Sequence, residues 1–269
     1  MNKKGYLIAI DLDGTLLQGF DNYNKDCIEL LKQIAKENYV VIATGRPLRS
    51  SKYYYDLMEL TTPIINYNGS LVHHPNDKTF EKTMICVEKD DVIKILEDNK
   101  KYIENIFCEV EDEIFLWKKQ DDINPYLHLD GGLLHVGSFE ENLHSNPNGA
   151  IVFSKPNTGK ILQNYIDTVY KDKLLIRFWD DENYVISEIY NPKTSKAYGL
   201  ERIIKHLNIP IEKTIAIGDG HNDIEMFNVC SLGVAMGNSH PELLKHADII
   251  IKSVKDNGVY HFLKEFFEI

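Results

Sequence analysis

The sequence predicts an α/β protein: a Rossmann-like parallel sheet with helices on both faces, interrupted by an inserted α+β domain. Three observations predict it. Short apolar runs alternate with amphipathic stretches through about the first eighty residues, the same alternation returns toward the end, and the texture between the two is different. Taken in order, strand-like "YLIAID" leads to helix-like "NKDCIELLKQIAKEN", "YVVIATG" leads to "RPLRSSKYYYDLMEL", and "PIINYNG" follows, a βαβαβ pattern. These strands are apolar throughout rather than alternating, as a parallel sheet covered on both faces requires. Near the C-terminus the series is "KTSKAYGLERIIKHLN", "KTIAIGDG", "HNDIEMFNVC", "LGVAMGN", "HPELLKHA", "DIIIK" and a last helix "NGVYHFLKEFFEI". From 82 to 190 aromatic and acidic residues become more frequent, and the hairpin-like pairs "IFCEVEDEIFLWKK" and "LLIRFWDDENYVISEIY" are separated by turn clusters such as "NPNG" and "KPNTG". The expected division is a discontinuous core of residues 1–81 and 191–269 with an α+β insertion at 82–190.

Composition narrows the functions. The chain has 269 residues and a net charge of −11, so a nucleic-acid backbone is a poor partner and any bound phosphate needs local compensation. No apolar stretch approaches the ~18 residues of a membrane span, and "MNKK" is not followed by a secretory h-region; the expectation is a cytoplasmic protein without membrane contact. Cys27, Cys86, Cys108 and Cys230 are scattered and form no C-x-x-C pair, which predicts reduced, structural cysteines.

The chemistry gathers where strands end. Asp11 and Asp13 close the first strand, and alternation would place both carboxylates on one face, about 6 to 7 Å apart. They stand at the sheet edge where open α/β folds bind ligands, and two carboxylates there need a cation, a proton or donors to compensate them. "IAIGDGHND" adds Asp219 directly after a second strand and Asp223 four residues on. Four carboxylates make a hard-oxygen site suited to Mg²⁺. "VIATGR" supplies Thr44 and Gly45, a hydroxyl and backbone N–H groups able to hold an anion where a helix begins. Lys196 is a cation near another helix start. These are the parts of a phosphoryl-transfer site.

In order along the chain, "DLDGT" at 11–15, "ATGR" at 43–46, "SKAYGL" at 195–200, "GDGHND" at 218–223 and "AMGN" at 235–238 resemble the haloacid dehalogenase (HAD) superfamily, and specifically the Cof-type phosphatases with a type IIB cap. Gly220, where relatives often carry asparagine, and "DNGV" at 256–259 in place of "EDGV" are mild departures. The resemblance implies a cap at 82–190 that governs substrate choice. It implies that Asp11 attacks phosphorus to give an aspartyl-phosphate, and that Asp13 acts first as acid and then as base. Mg²⁺ would be held by Asp11, Asp219 and the Asp13 carbonyl, with Asp223 assisting through water or from behind. Phosphoryl oxygens would meet Thr44, the Gly45 amide, Lys196 and Asn222. The implied partner is a small phosphorylated metabolite handled by a monomer or small homo-oligomer. Two alternatives stay open: a phosphomutase with the same cap, and a phospho-accepting switch without turnover.

Other residues admit two readings. Asp223 can cap its helix as well as serve the site. Arg46 pairs with a neighbouring carboxylate or meets substrate. His221 is expected to be an exposed residue of a loop–helix junction. "NYNGS" at 66–70 is an ordinary turn, or, as its position in the resemblance implies, lies near the phosphate pocket or the cap hinge. Trp117, Arg177 and Trp179 of the insertion are expected in its core more than in a ligand cage.

Overall fold

The computed structural model describes residues 3–19, 21–180 and 184–269. Met1 and Asn2 of "MNKK" and 181–183 in the turn of the second expected hairpin lie outside the described residues. Two compact units divide the chain, one of residues 1–83 with 195–269 and one of residues 84–194.

The first unit is built on β1 (Leu7–Ile10), α1 (Lys25–Ile34), β2 (Tyr39–Ile42), α2 (Leu48–Leu57), β3 (Ile64–Asn66) and β4 (Leu71–His73). It resumes with α3 (Lys196–His206), β5 (Thr214–Gly218), α4 (Ile224–Val229), β6 (Leu232–Ala235), β7 (Ile249–Ile250) and α5 (Gly258–Phe267). Five strands form one sheet in the order β7-β6-β5-β1-β2, and every pair is parallel. Alternate residues of β1, β2 and β5 enter different cores. Ile8, Ile10, Val40, Ile42, Ile215 and Ile217 pack with α1, α2 and α5. Leu7, Ala9, Val41, Ala43 and Ala216 pack with Leu200 and Ile203 of α3 and Met226 and Phe227 of α4. Burial on both faces is why these strands lack a polar stripe. The third strand of the expected βαβαβ pattern behaves differently. β3 pairs antiparallel with β4 and joins the main sheet through a single parallel bridge, Ala43 to Ile65.

The inserted unit carries a six-stranded mixed sheet. In spatial order its strands are 133–136, 113–116, 103–110, 150–154, 185–190 and 175–180, antiparallel except where 133–136 runs parallel to 113–116. The strands of both expected hairpins pair antiparallel, 103–110 with 113–116 and 175–180 with 185–190. The helices at 89–99 and 159–169 cover one sheet face through Val92, Ile95, Leu96, Leu162 and Ile166. Ile123 and Leu127, from a segment of 3₁₀ turns, pack against Phe107, Ile114, Leu116, Phe153 and Ile186 on the other. Among the described residues no helix is long and apolar enough to cross a membrane. The four cysteines are free thiols.

One close approach sets the position of α3. Gly69 follows two residues already at positive φ, Tyr67 at 49° and Asn68 at 54°, and itself has φ 98°. A Cβ added at Gly69 would lie 1.9 Å from the Ser195 carbonyl oxygen, so only glycine lets this loop touch the first turn of α3. Gly69→Ala combines a backbone clash with φ strain and is expected to cost at least about 2 kcal/mol in urea unfolding. Gly19→Ala, with φ 68° but nothing within 4 Å, is expected to cost about 1 kcal/mol. Equal losses would show that the contact with α3 contributes nothing.

Candidate active site

The segments that follow β1, β2, β5 and β6 at the carboxyl edge of the sheet each deliver a polar side chain: Asp11, Thr44, Asp219 and Asn238. β1 stops at Ile10, and the next residue, Asp11, is 6% exposed, with its N–H donating to the Ile217 carbonyl of β5 at 3.0 Å. Because the strand has ended, alternation no longer governs residues 11–13, and the expected shared face gives way to two different partners. Lys196 Nζ donates to Asp11 Oδ1 at 2.6 Å, whereas the Asp13 carboxylate is gripped by Arg46, Nε to Oδ2 at 2.8 Å and Nη2 to Oδ1 at 2.5 Å.

Lys196 is the opposite of a solvated helix lysine. At the first position of α3 it is fully buried, and its ammonium also donates to Asp223 Oδ1 at 2.6 Å. Asp223, equally buried, is held on its other oxygen by the N–H groups of Asp219 at 3.0 Å and Gly220 at 2.9 Å. Its carboxylate thus closes the 221–223 turn that leads into α4, with no cap bond to α4 itself, and anchors the lysine, so both its oxygens are engaged. Asp219 Oδ1 accepts from the Thr15 hydroxyl at 3.0 Å. Asn238 reaches over from "AMGN", its Nδ2 on the Gly14 carbonyl at 2.8 Å and near Asp219 Oδ2 at 3.4 Å, while its Oδ1 accepts from the Val254 N–H.

On the other side of Asp11 stands the turn after β2. Thr44 is fully buried and its Oγ1 accepts from the Arg46 N–H at 3.1 Å, which leaves the hydroxyl proton to donate. The strained loop 66–70 backs this turn: the Asn68 N–H donates to the Thr44 carbonyl at 3.0 Å, and Gly45 lies against the Asn68 amide, which a Cβ there would meet at 3.3 Å. Asn222 Nδ2 donates to Asn68 Oδ1 at 2.9 Å, so these two amides join the β2 turn to the β5 turn.

Oxygens of Asp11, Asp219 and Asp223 lie within 4.8 Å of one another. At such a separation each like-charged pair costs about 3 kcal/mol at an effective dielectric near ~20. One lysine does not neutralise three carboxylates. Burial, and then the charges of Asp223, Asp219 and Asp13, hold the Asp11 carboxyl well above its ordinary pKa although Lys196 pulls it down. Asp219 is pushed up to about 7 by burial and by Asp223, against the Thr15 hydroxyl and Lys196. Burial alone would lower the Lys196 pKa, but Asp11 and Asp223 outweigh it and raise it above the ordinary lysine value. Such a surplus of hard-oxygen negative charge is what a divalent cation relieves.

Of the residues singled out in the sequence, Asp11, Asp219, Asp223 and Lys196 form one cluster, with Thr44, Gly45 and Asn222 in the turns around it. The Asp13 carboxylate stands outside the acidic group. His221 is half-buried with its ring 5.7 Å from that of His240. In the inserted unit Arg177 faces Glu188 across the strands, Nε to Oε2 at 2.9 Å, with its guanidinium 4.0 Å from the Tyr190 ring centroid; Trp117 and Trp179 are half-buried. Thr15 and Asn238 are site residues to which the sequence reading gave no role, although both stand inside its motifs, whereas Asn68 lies in the 66–70 stretch expected either as a turn or near the phosphate pocket or cap hinge.

The sequence profile of the haloacid dehalogenase-like hydrolases matches residues 8–263. The chain is 33% identical over 271 residues, the full length of both proteins, to a 5-amino-6-(5-phospho-D-ribitylamino)uracil phosphatase of Bacillus subtilis. It is 27% identical over 287 residues to another phosphatase of that organism, covering 96% of this chain and 98% of the other. Among solved structures it is similar to a haloacid dehalogenase-like hydrolase from Bacteroides thetaiotaomicron, with TM-score 0.83, 22% identity and coverage of 98% and 100%. It is also similar to a sugar phosphatase of HAD subclass IIB, with TM-score 0.79, 22% identity and the same coverage.

If Lys196 is the counter-charge of a buried cluster, Lys196→Met costs about 3–5 kcal/mol in urea unfolding of the metal-free protein, and adding Asp223→Asn recovers part of it. A loss under about 1 kcal/mol would contradict the buried-pair assignment.

Proposed function

The chain belongs to the haloacid dehalogenase-like hydrolases and is a phosphatase, and from that premise we propose that it hydrolyses a small phosphorylated metabolite through a phosphoryl group carried on Asp11. The observation that carries this reading is the Lys196 ammonium, 2.6 Å from both Asp11 and Asp223. It fixes one Asp11 oxygen and leaves the other to attack.

In the first half-reaction the free Asp11 oxygen bonds to phosphorus, the bond to the leaving oxygen breaks, and Asp13 supplies the proton that oxygen takes up with the electron pair. In the second, water bonds to the same phosphorus, its proton passes to the Asp13 carboxylate, and Asp11 is released. Ester and water become alcohol and phosphate. Thr44, the Gly45 N–H, Lys196 and Asn222 hold phosphoryl oxygens in this reading. The surplus of charge on Asp11 and Asp219, and a donor set made of carboxylates, fit Mg²⁺. Asp11, Asp219 and the Asp13 carbonyl would hold it, and Asp223 would steady it from behind. Its chemistry is to neutralise carboxylate and phosphate charge so that the two groups can meet.

The inserted unit, 84–194, selects the leaving group in this proposal. Similarity along the full length to a 5-amino-6-(5-phospho-D-ribitylamino)uracil phosphatase makes that phosphorylated polyol the first substrate to try. The test is phosphate release, ranked by kcat/KM, from that compound, sugar phosphates, nucleotides, flavin mononucleotide and pyridoxal phosphate. Turnover is expected to stop with EDTA and to return with Mg²⁺ more fully than with Ca²⁺. Asp11→Asn is expected to lower kcat about 10⁴-fold or more with the fold retained. Turnover by that variant would remove Asp11 from its role, and an isomerised sugar phosphate in place of free phosphate would indicate a mutase.

A further inference from the structure

One tightly made contact has no task in the steps above, the guanidinium of Arg46 on Asp13. Its burial is lopsided. The Arg46 side chain is 3% exposed and that of Asp13 is 46% exposed. An ion pair with one partner half in water stabilises a fold little, whereas taking a guanidinium out of water is costly; stability of the fold does not account for this arrangement.

Arg46 is also fixed from every side. Its N–H donates to Thr44 Oγ1 at 3.1 Å, and its carbonyl accepts from Asn66 Nδ2 at 2.9 Å and the Tyr67 N–H at 3.2 Å. Its guanidinium carbon lies 5.8 Å from the ring centroid of buried Tyr54, whose hydroxyl donates to Asp21 at 3.3 Å, and Asp21 in turn stands 3.9 Å from Arg46 Nη1. The immobile partner is the cation, and the exposed carboxylate is what it holds. A planar fork meeting both carboxylate oxygens sets the plane and direction of that group, which a single ammonium cannot do.

We propose that Arg46 is the positioning residue of Asp13: it touches no reacting atom, and it aims the carboxyl group, which in its protonated form keeps one oxygen on Arg46 and presents the O–H of the other to the leaving oxygen. This rests on the reading of Asp13 as the acid of the first step. Formation of the Asp11–phosphorus bond expels either an alkoxide, which needs that proton, or 4-nitrophenolate, which does not. Because kcat/KM reports the steps through the first irreversible one, the two kinds of ester separate loss of aim from general damage.

The experiment measures kcat/KM, with Mg²⁺ in excess, for 4-nitrophenyl phosphate and for the best alkyl monoester of the substrate panel, in wild type and in the Arg46→Met, Arg46→Lys and Asp13→Asn variants. Arg46→Met is expected to lose about 10²-fold on the alkyl ester and under about tenfold on the aryl ester. Arg46→Lys, which keeps a cation beside Asp13 but loses the fork, shows the same bias at smaller size. Equal losses on both esters in the Arg46 variants, with the bias present in Asp13→Asn, overturn the assignment of Arg46 alone. No bias in Asp13→Asn overturns the acid role of Asp13 and the proposal with it.

Discussion

A single ammonium group carries the site. Lys196 joins Asp11, 185 residues before it, to Asp223, 27 residues after it. Three chain segments that share no local interaction are thereby tied at the end of one sheet. The arrangement works because the tie is incomplete: two carboxylates are paired, a third lies within reach, and the remaining negative charge both invites a cation and keeps a carboxylate oxygen available. Removing charge from the cluster would make the fold easier to hold and the chemistry harder to run, the usual opposition between stability and a poised site.

The surrounding residues follow from the need to place that ammonium. Gly69 lets the 66–70 loop touch the start of α3, and Ser195 caps the helix by accepting from the Tyr198 N–H at 3.1 Å. Asn68, held at positive φ in the same loop, links the Thr44 turn to Asn222. The positive-φ backbone at 67–69 thus sits where two turns and a helix meet, as strain in functional loops commonly does.

Much of this was legible in the sequence because the signals were local. The buried strands, the amphipathic helices and the short motifs at strand ends each depend on neighbours a few residues away, so α3, β5 and the cluster of Asp11, Asp219, Asp223 and Lys196 could be anticipated. The rest depended on pairings with no local signature. That Asp11 and Asp13 part company was hidden because alternation was carried past the end of the strand; β1 ends at Ile10, and only the placement of Arg46 shows where Asp13 goes. Asn68 and Asn222 resemble turn residues until their amides are seen together. Thr15 and Asn238 sat in recognised motifs, but a hydroxyl or amide that steadies Asp219 carries no charge to advertise itself. The antiparallel turn-back of β3 onto β4 had a signal in Asn68-Gly69, which the sequence left divided between a turn and a place near the phosphate pocket or cap hinge.

The central claim is that Asp11 is the nucleophile that takes the phosphoryl group before water does. Acid quench of a single turnover, followed by peptide mass spectrometry, tests it most directly. The account predicts the mass of one phosphoryl group on the peptide containing Asp11, appearing and decaying at rates compatible with turnover. A phosphoryl group found on another residue, or ¹⁸O from water passing into phosphate with no labelled peptide at any time, would contradict it.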